Sequence, residues 1–271
     1  MIFQESDDGR KLPTLGFGTY KITAEEMDTV VRSALVSGYR LFDCAHVYGN
    51  EAAIGSFLAK YSRVLEIPRK DMFLVSKPGE DLFPIDERGF GRYDAVPLEE
   101  TWRAMEELVS SGLVKAIGLS NFNKRQIERI LECGNIRPSN LQIESHLGFM
   151  NNKIIDFAKS AGMTVSAYCP LGAPAKRTKE ENLLNLPTVR ELATKYGKTP
   201  GQILLRHAIQ RGLIAIPKSS NPERIKENIS IFDFTLLPDD MSALLAVSKN
   251  IRTVKPEIMR HHPEYPFNDD F

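Results

Sequence analysis

The chain has 271 residues, 42% of them hydrophobic, which suits one α/β barrel or two smaller domains around a sizeable core. Its 35 Lys and Arg balance 35 Asp and Glu, so no net field attracts a polyanion and nucleic acid is not an expected partner. No stretch approaches the roughly 18 apolar residues of a membrane span. The opening "MIFQESDDGRKLP" lacks the apolar run of a signal peptide. Cys44, Cys133 and Cys169 have no metal-ligand spacing and suit a reducing compartment, so a cytoplasmic location is expected.

In chain order, "LGFGTY" (15–20) reads as a short strand. Thr23 and Glu26 form a capping box, Met27, Val30, Val31, Ala34 and Leu35 follow at helical spacing, and Gly38 closes the helix. "YRLFDCA" (39–45) is the second strand, and Asn50 opens a helix carrying Ile54, Phe57 and Leu58. "MFLVS" (72–76) is the third. Pro97 takes the first position of a helix whose inner stripe is Trp102, Met105, Leu108 and Val109, ended by Gly112. Strand "VKAIGLS" (114–120) precedes a helix with Ile127, Ile130 and Leu131. Strand "LQIES" (141–145) precedes one with Ile154, Ile155 and Ala158. After "MTVSAY" (163–168) come two helices, and "LIAIPKS" (213–219) leads to helices around Ile225 and Leu244. The tail is irregular.

Strands alternating with helices imply a parallel sheet with helices outside, here a TIM-type (β/α)8 barrel forming one domain over 1–271. Only seven barrel strands are recognisable where eight are required. The odd interval is 77–96, about twenty residues without periodicity, and a structureless loop of that length in a compact domain needs a special reason.

Barrel chemistry sits at the C-terminal strand ends. Asp43 closes the second strand, Tyr48 follows five residues on, and Lys77 closes the third. A phenol, with a reference pKa near 10, becomes a usable general acid when an ammonium lowers that value, and Asp43 would hold the ammonium in place. The same residues equally describe an ordinary ion pair beside a loop aromatic. "IPKSSNPERIKENI" offers Lys218 and Arg224 as cations, Ser219, Ser220 and Asn221 as donors, and a helix N-terminus, together a phosphate site or else a capped surface helix. "GFGTYK" lacks the third glycine of a dinucleotide fingerprint. The histidines are scattered, which disfavours a metal, and His207 falls on the apolar side of its helix. Cys169 has no histidine partner close in sequence, so a thiol nucleophile is disfavoured.

In order along nearly the whole chain, "LGFGTY", "FDCAHVYGNE", "SK", "LEETWRAMEELVSSGLVKAIGLSNFN", "LQIESH", "AYCPLG" and "IPKSSNPERIKENISIFDF" resemble the aldo-keto reductase family. The resemblance implies NADPH-dependent reduction of small aldehydes and ketones by a monomeric barrel. It implies Tyr48 as proton donor, with Lys77 and Asp43 tuning it. It assigns Ser120, Asn121 and Gln142 to the nicotinamide carboxamide and Tyr168 to stacking on the ring. Thr19, Tyr20, Cys169 and Leu171 would line the cofactor, Cys169 in place of a usual serine. Lys218, Ser219, Ser220, Asn221 and Arg224 would clamp the adenosine phosphate, with Glu227 and Asn228 near adenine. The Lys218 and Arg224 pair implies NADPH rather than NADH.

Family members run from the "SK" strand end through a further helix and a strand ending in His-Trp-Pro before a loop resembling "KPGEDLFPIDERGFGRYD". Here "FLVSK" joins that loop directly. The third helix, the fourth strand and the active-site histidine have no counterpart, and Lys77 is either the catalytic lysine or the first residue of the later loop. Three outcomes stay open: an impaired reductase, an NADPH-binding barrel of non-catalytic or regulatory kind, and a truncated inactive isoform.

Overall fold

The computed structural model describes residues 2–76, 87, 90–91 and 96–268. It opens with a hairpin that the sequence reading missed, β1 (Phe3–Glu5) antiparallel to β2 (Lys11–Pro13). The turn is built locally: Ser6 Oγ donates to Asp8 Oδ1 at 2.6 Å, Ser6 N donates to Arg10 O at 3.0 Å, and Gly9 takes φ +78°.

Then β3 (Gly16–Gly18), α1 (Ala24–Ser37), β4 (Leu41–Asp43), α2 (Glu51–Val64) and β5 (Phe73–Val75) alternate. The second part runs α3 (Leu98–Ser110), β6 (Leu119–Ser120), α4 (Lys124–Cys133), β7 (Asn140–Glu144), α5 (Asn152–Ser160) and β8 (Thr164–Tyr168). It ends with α6 (Pro187–Tyr196), α7 (Pro200–Gln210), β9 (Ile214–Ile216), α8 (Pro222–Ile229) and α9 (Pro238–Ala246). Thr23 and Glu26 make the expected capping box, and Asn123 with Gln126 and Thr199 with Gln202 make two more. Two helix starts differ from expectation. Pro97 stands at the N-cap with extended ψ rather than inside α3, and the Asn50 side chain leaves α2 uncapped.

Parallel pairing joins β3, β4 and β5 in one run and β6, β7, β8 and β9 in another. The runs meet where Leu15 bridges Ala215, with Ala215 N donating to Thr14 O and Gly18 N to Pro217 O, both at 3.0 Å. The staves therefore follow the order β6-β7-β8-β9-β3-β4-β5. Among the described residues nothing pairs β5 with β6. Strands β3, β4 and β9 are buried throughout, as staves covered on both faces must be. In β5, by contrast, Phe73 and Val75 are half-buried and Leu74 is 46% exposed, the burial of a sheet edge. On the other side of the opening, the expected strand 114–120 contracts to Leu119–Ser120.

The core is in three parts. One packs α1, α2, β3 and β4 against Leu205, Ala208 and Ile225 of α7 and α8. The second gathers α3, α4 and α5 over β6, β7 and β8, with Trp102 donating its indole N–H to Ile136 O at 3.2 Å. The third joins α6, α7 and α9. His207 lies in α7 as the pattern predicts, 2% exposed, its imidazole pushed down to about 3 by burial and secondarily by the Arg211 charge.

Candidate functional site

Strand register brings the expected residues to one end of the barrel. Gly18 pairs with Asp43, Asp43 with Val75, Ser120 with Gln142, and Glu144 with Tyr168. Asp43 is 4% exposed. Gln142 Nε2 donates to its Oδ1 at 2.8 Å, a bond that joins β7 to the non-adjacent β4 across the barrel interior. Thr19 is equally buried and donates its hydroxyl to Asp43 O at 2.7 Å. Asn50, absent from the sequence reading as a site residue, spans the loops here: its Nδ2 donates to Thr19 O at 3.0 Å and Ile22 O at 3.3 Å. The asparagine ahead of a helix was visible as a cap; its long-range role was not.

Tyr48 closes a 3-10 turn over His46–Tyr48, its ring 5.0 Å from that of Tyr20. Burial pushes the phenol well above its ordinary value, and the Asp43 charge adds to the rise. The expected influence of an ammonium runs the other way, and Lys77 lies outside the described residues. Beside this turn Cys44 is buried and its thiol is pushed up to about 12, chiefly by desolvation, so it is a poor nucleophile.

Across the barrel, the Tyr168 hydroxyl donates to Asn121 Oδ1 at 2.9 Å, and burial raises the Tyr168 phenol too. Two non-glycine residues at these strand ends hold left-handed backbone, Asn121 at φ +60° and Cys169 at φ +51°. Such conformations cost about 1–2 kcal/mol each and concentrate where function fixes the chain. Asn121 N donates to Gln142 O at 2.9 Å, which ties the Asn121 bend to β7. The Ser120 hydroxyl is buried without a partner among the described residues. An orphaned hydroxyl beside the Asn121 side chain suits a planar carboxamide, which carries both donor and acceptor. Leu171 packs half-buried between the first and third core parts.

The phosphate-type cluster forms where β3 meets β9. A Cβ on Gly18 would lie 3.5 Å from Lys218 Cβ, so the third strand approaches the cluster closely. Lys218 Nζ donates to Ser220 Oγ at 2.6 Å, Asn221 N to Ser219 Oγ at 3.1 Å, and Arg224 N to Asn221 Oδ1 at 3.0 Å. Asn221 caps α8. Arg224 and Glu227 are exposed, and Asn228 is buried. Glu26 reaches the same cluster: its carboxyl is held below the ordinary value by the Thr23 N–H first and the Ser220 hydroxyl second, with Lys218 contributing. Two cations, a helix N-terminus and several donors stand against Glu26 and the first-turn Glu223, and the set fits a nucleotide phosphate.

The fold and this arrangement of strand ends define a barrel oxidoreductase, and the chain belongs to the aldo/keto reductase family. The family's profile matches residues 14–92 and 92–249. Its cofactor is NADPH, and it stands among the NADP-dependent reductases. It is similar to aldo-keto reductase family 1 member A1 of Mus musculus, 38% identical over 315 positions covering 97% of each chain. It is also similar to the Homo sapiens protein of that description, 37% identical with the same coverage. Among solved structures it resembles aldose reductase from Schistosoma japonicum, with 41% identity, a TM-score of 0.93 and 100% of each chain covered. The alignments run over 315 positions against 271 residues here, so these relatives carry residues that this chain lacks. No helix among the described residues is long and apolar enough to cross a membrane.

Proposed function

We propose that the protein reduces small aldehydes and ketones to alcohols at the strand ends around Tyr48, with activity impaired by the missing βα unit. The observation that carries this reading is the Gln142–Asp43 hydrogen bond across the barrel, which joins buried Asp43, whose charge acts on Tyr48, to the strand ends that carry Ser120, Asn121 and Tyr168. NADPH supplies a hydride to the carbonyl carbon when bound. Tyr48 gives its phenolic proton to the carbonyl oxygen, so the C=O π bond is replaced by new C–H and O–H bonds and a C–O single bond remains. A raised phenol is still acid enough for this step. The developing alkoxide is about as basic as hydroxide, whose parent acid has a pKa near 15.7, and proton transfer to it runs downhill. Ser120 and Asn121 orient the nicotinamide carboxamide, and Lys218, Asn221 and Arg224 hold the adenosine phosphate. The same reading takes the protein as a cytoplasmic monomer with no nucleic-acid or membrane partner.

The edge of β5, which nothing among the described residues pairs with β6, and the residues that the relatives carry and this chain lacks favour a second reading, a barrel that holds NADPH with little turnover. NADPH oxidation with a small aromatic aldehyde decides. The first reading expects turnover that Tyr48→Phe lowers about 10²–10⁴-fold, the usual worth of a positioned acid, with NADPH affinity within about threefold. Tight NADPH binding by folded protein without turnover would overturn it in favour of the second.

A further inference from the structure

Glu144 and His146 follow Gln142 along β7 and its exit, and neither has a part in the chemistry above. Glu144 is 0% exposed and His146 1%. The Glu144 carboxylate accepts from Thr253 N at 2.7 Å on one oxygen and from Val254 N at 2.8 Å on the other. His146 Nε2 donates to the first oxygen at 2.9 Å. Burial alone favours the neutral acid, but the His146, Val254 and Thr253 hydrogen bonds outweigh it and hold this carboxyl below its ordinary range.

The backbone thus gripped is the strap 251–254, which leaves α9 and crosses back to the strand ends. Ile251 N donates to Gly148 O at 2.7 Å, and Arg177 Nη2 donates to Thr253 Oγ1. The Arg252 guanidinium lies between the rings of Phe149 and Phe267, at 4.5 and 4.2 Å from their centroids. Glu144 is in register with Tyr168, and both Glu144 and Arg252 act electrostatically on the Tyr168 phenol. The strap therefore lies against the side of the site that carries Tyr168 and Asn121.

We propose that Glu144 is a positioning residue for carbonyl reduction: it fixes the 251–254 strap against the end of β7 and thereby sets how tightly the site accepts its carbonyl substrate. The proposal rests on the reading of the site given above. Only an acceptor-only group serves both N–H donors, because an amide turns one hydrogen-bond donor toward another. Glu144 touches neither substrate nor cofactor in this role.

The test uses Glu144→Gln and, acting from the strap, Thr253→Pro, which removes the N–H donor along with the hydroxyl that Arg177 meets and leaves the buried carboxylate intact, with Thr253→Val as the control for the hydroxyl alone. Hydrogen exchange of the Ile251, Arg252 and Val254 amides should quicken at least tenfold in both variants while the amides of β8 stay unchanged. KM for a small aromatic aldehyde should rise about fivefold or more, with kcat and NADPH affinity within twofold. A purely structural lesion would instead lower kcat and cofactor affinity together. Calorimetric affinity of the same aldehyde for the NADP+ complex gives this comparison without turnover, so failure of the reduction reading and failure of this proposal are distinguishable. Should Glu144→Gln not fold, Thr253→Pro decides alone. Unchanged strap exchange, or unchanged aldehyde affinity with a loosened strap, overturns the proposal.

Discussion

Replacing Arg224 with alanine separates a phosphate clamp from a capped surface helix. Arg224 stands in the first turn of α8, exposed, and its side chain has no ion-pair partner among the described residues. Its backbone N–H, bonded to Asn221 Oδ1, survives the substitution. Fold stability should therefore hardly change, and any effect belongs to the ligand. A hydrogen bond to a charged group is worth about 1.5–3 kcal/mol, and exposure to solvent places Arg224 at the lower end. About 1.4 kcal/mol is tenfold in affinity. The dissociation constant for NADPH should rise roughly tenfold and that for NADH, which lacks the extra phosphate, less than twofold. Raising the salt should shrink the gap between the two cofactors, because an exposed pair is screened. Isothermal titration with both cofactors is the assay. The single tryptophan, Trp102, is a poor reporter of the cofactor because it is buried on the inner face of α3, but it serves as the folding control. Equal weakening of both cofactors, or no weakening of NADPH, would refute the assignment.

Other expectations follow from packing, titration and the open side of the sheet. A Cβ on Gly118 would lie 2.6 Å from Asn140 O, so Gly118→Ala must push β6 from β7 and should cost about 1–3 kcal/mol, read as a lower urea midpoint of Trp102 fluorescence. The Glu144 carboxyl lies below its ordinary 4.5 when folded, so its contribution is complete above about pH 4.5 and is lost as pH falls through the lower folded value. Protection of the 251–254 amides, taken against the intrinsic exchange rate at each pH, should fall over that acid range in the native chain and show no such pH step in Glu144→Gln. Inserting the relatives' extra segment after Lys77 should raise the melting temperature by covering β5, where Leu74 is 46% exposed. The same insertion with its histidine changed to alanine should keep that gain yet fall about 10²–10³ short in rate. Equal melting temperatures and rates for all three chains would contradict this account.

Helices were legible because their apolar spacing is long and redundant. The stripe of α1, from Met27 to Leu35, is buried as its period implies. Strand ends were legible where an apolar run precedes them, as Leu41 and Phe42 precede Asp43 and "MTVSA" precedes Tyr168. The break near Lys77 was visible as an interval without period, and the burial of β5 agrees with it. What escaped was decided over long sequence distances. The hairpin of β1 and β2 is three residues a side and largely polar, so alternation could not mark it, although "SDDG" is a turn signal. Asn50 looked like a cap, but its donors turn to the backbone near Thr19. Glu144 meets its partners more than a hundred residues on, and nothing in "QIESH" announces Thr253. For Tyr48 the expectation weighed a neighbouring charge and left out desolvation, which pushes the phenol up, and Lys77, the charge it relied on, lies outside the described residues.

The order of staves has a consequence for how the molecule is tied together. The peptide connects its two parts, β1–β5 and α3–α9, across the one side where the described strands are not hydrogen-bonded to each other. Hydrogen bonds connect them on the opposite side, between β3 and β9, where the chain is not continuous. The molecule is in this sense a circular permutant of its own sheet: cutting the covalent connection would leave the ladder whole. Two fragments parted between Ser76 and Pro97 would still share the first core part and the Gln142–Asp43 bond. In folding the relation reverses. Leu15 must find Ala215, a contact spanning two hundred residues. So the N-terminal staves, covered by α1 and α2 on one face, wait with the edge of β3 unpaired until almost the whole chain has been made.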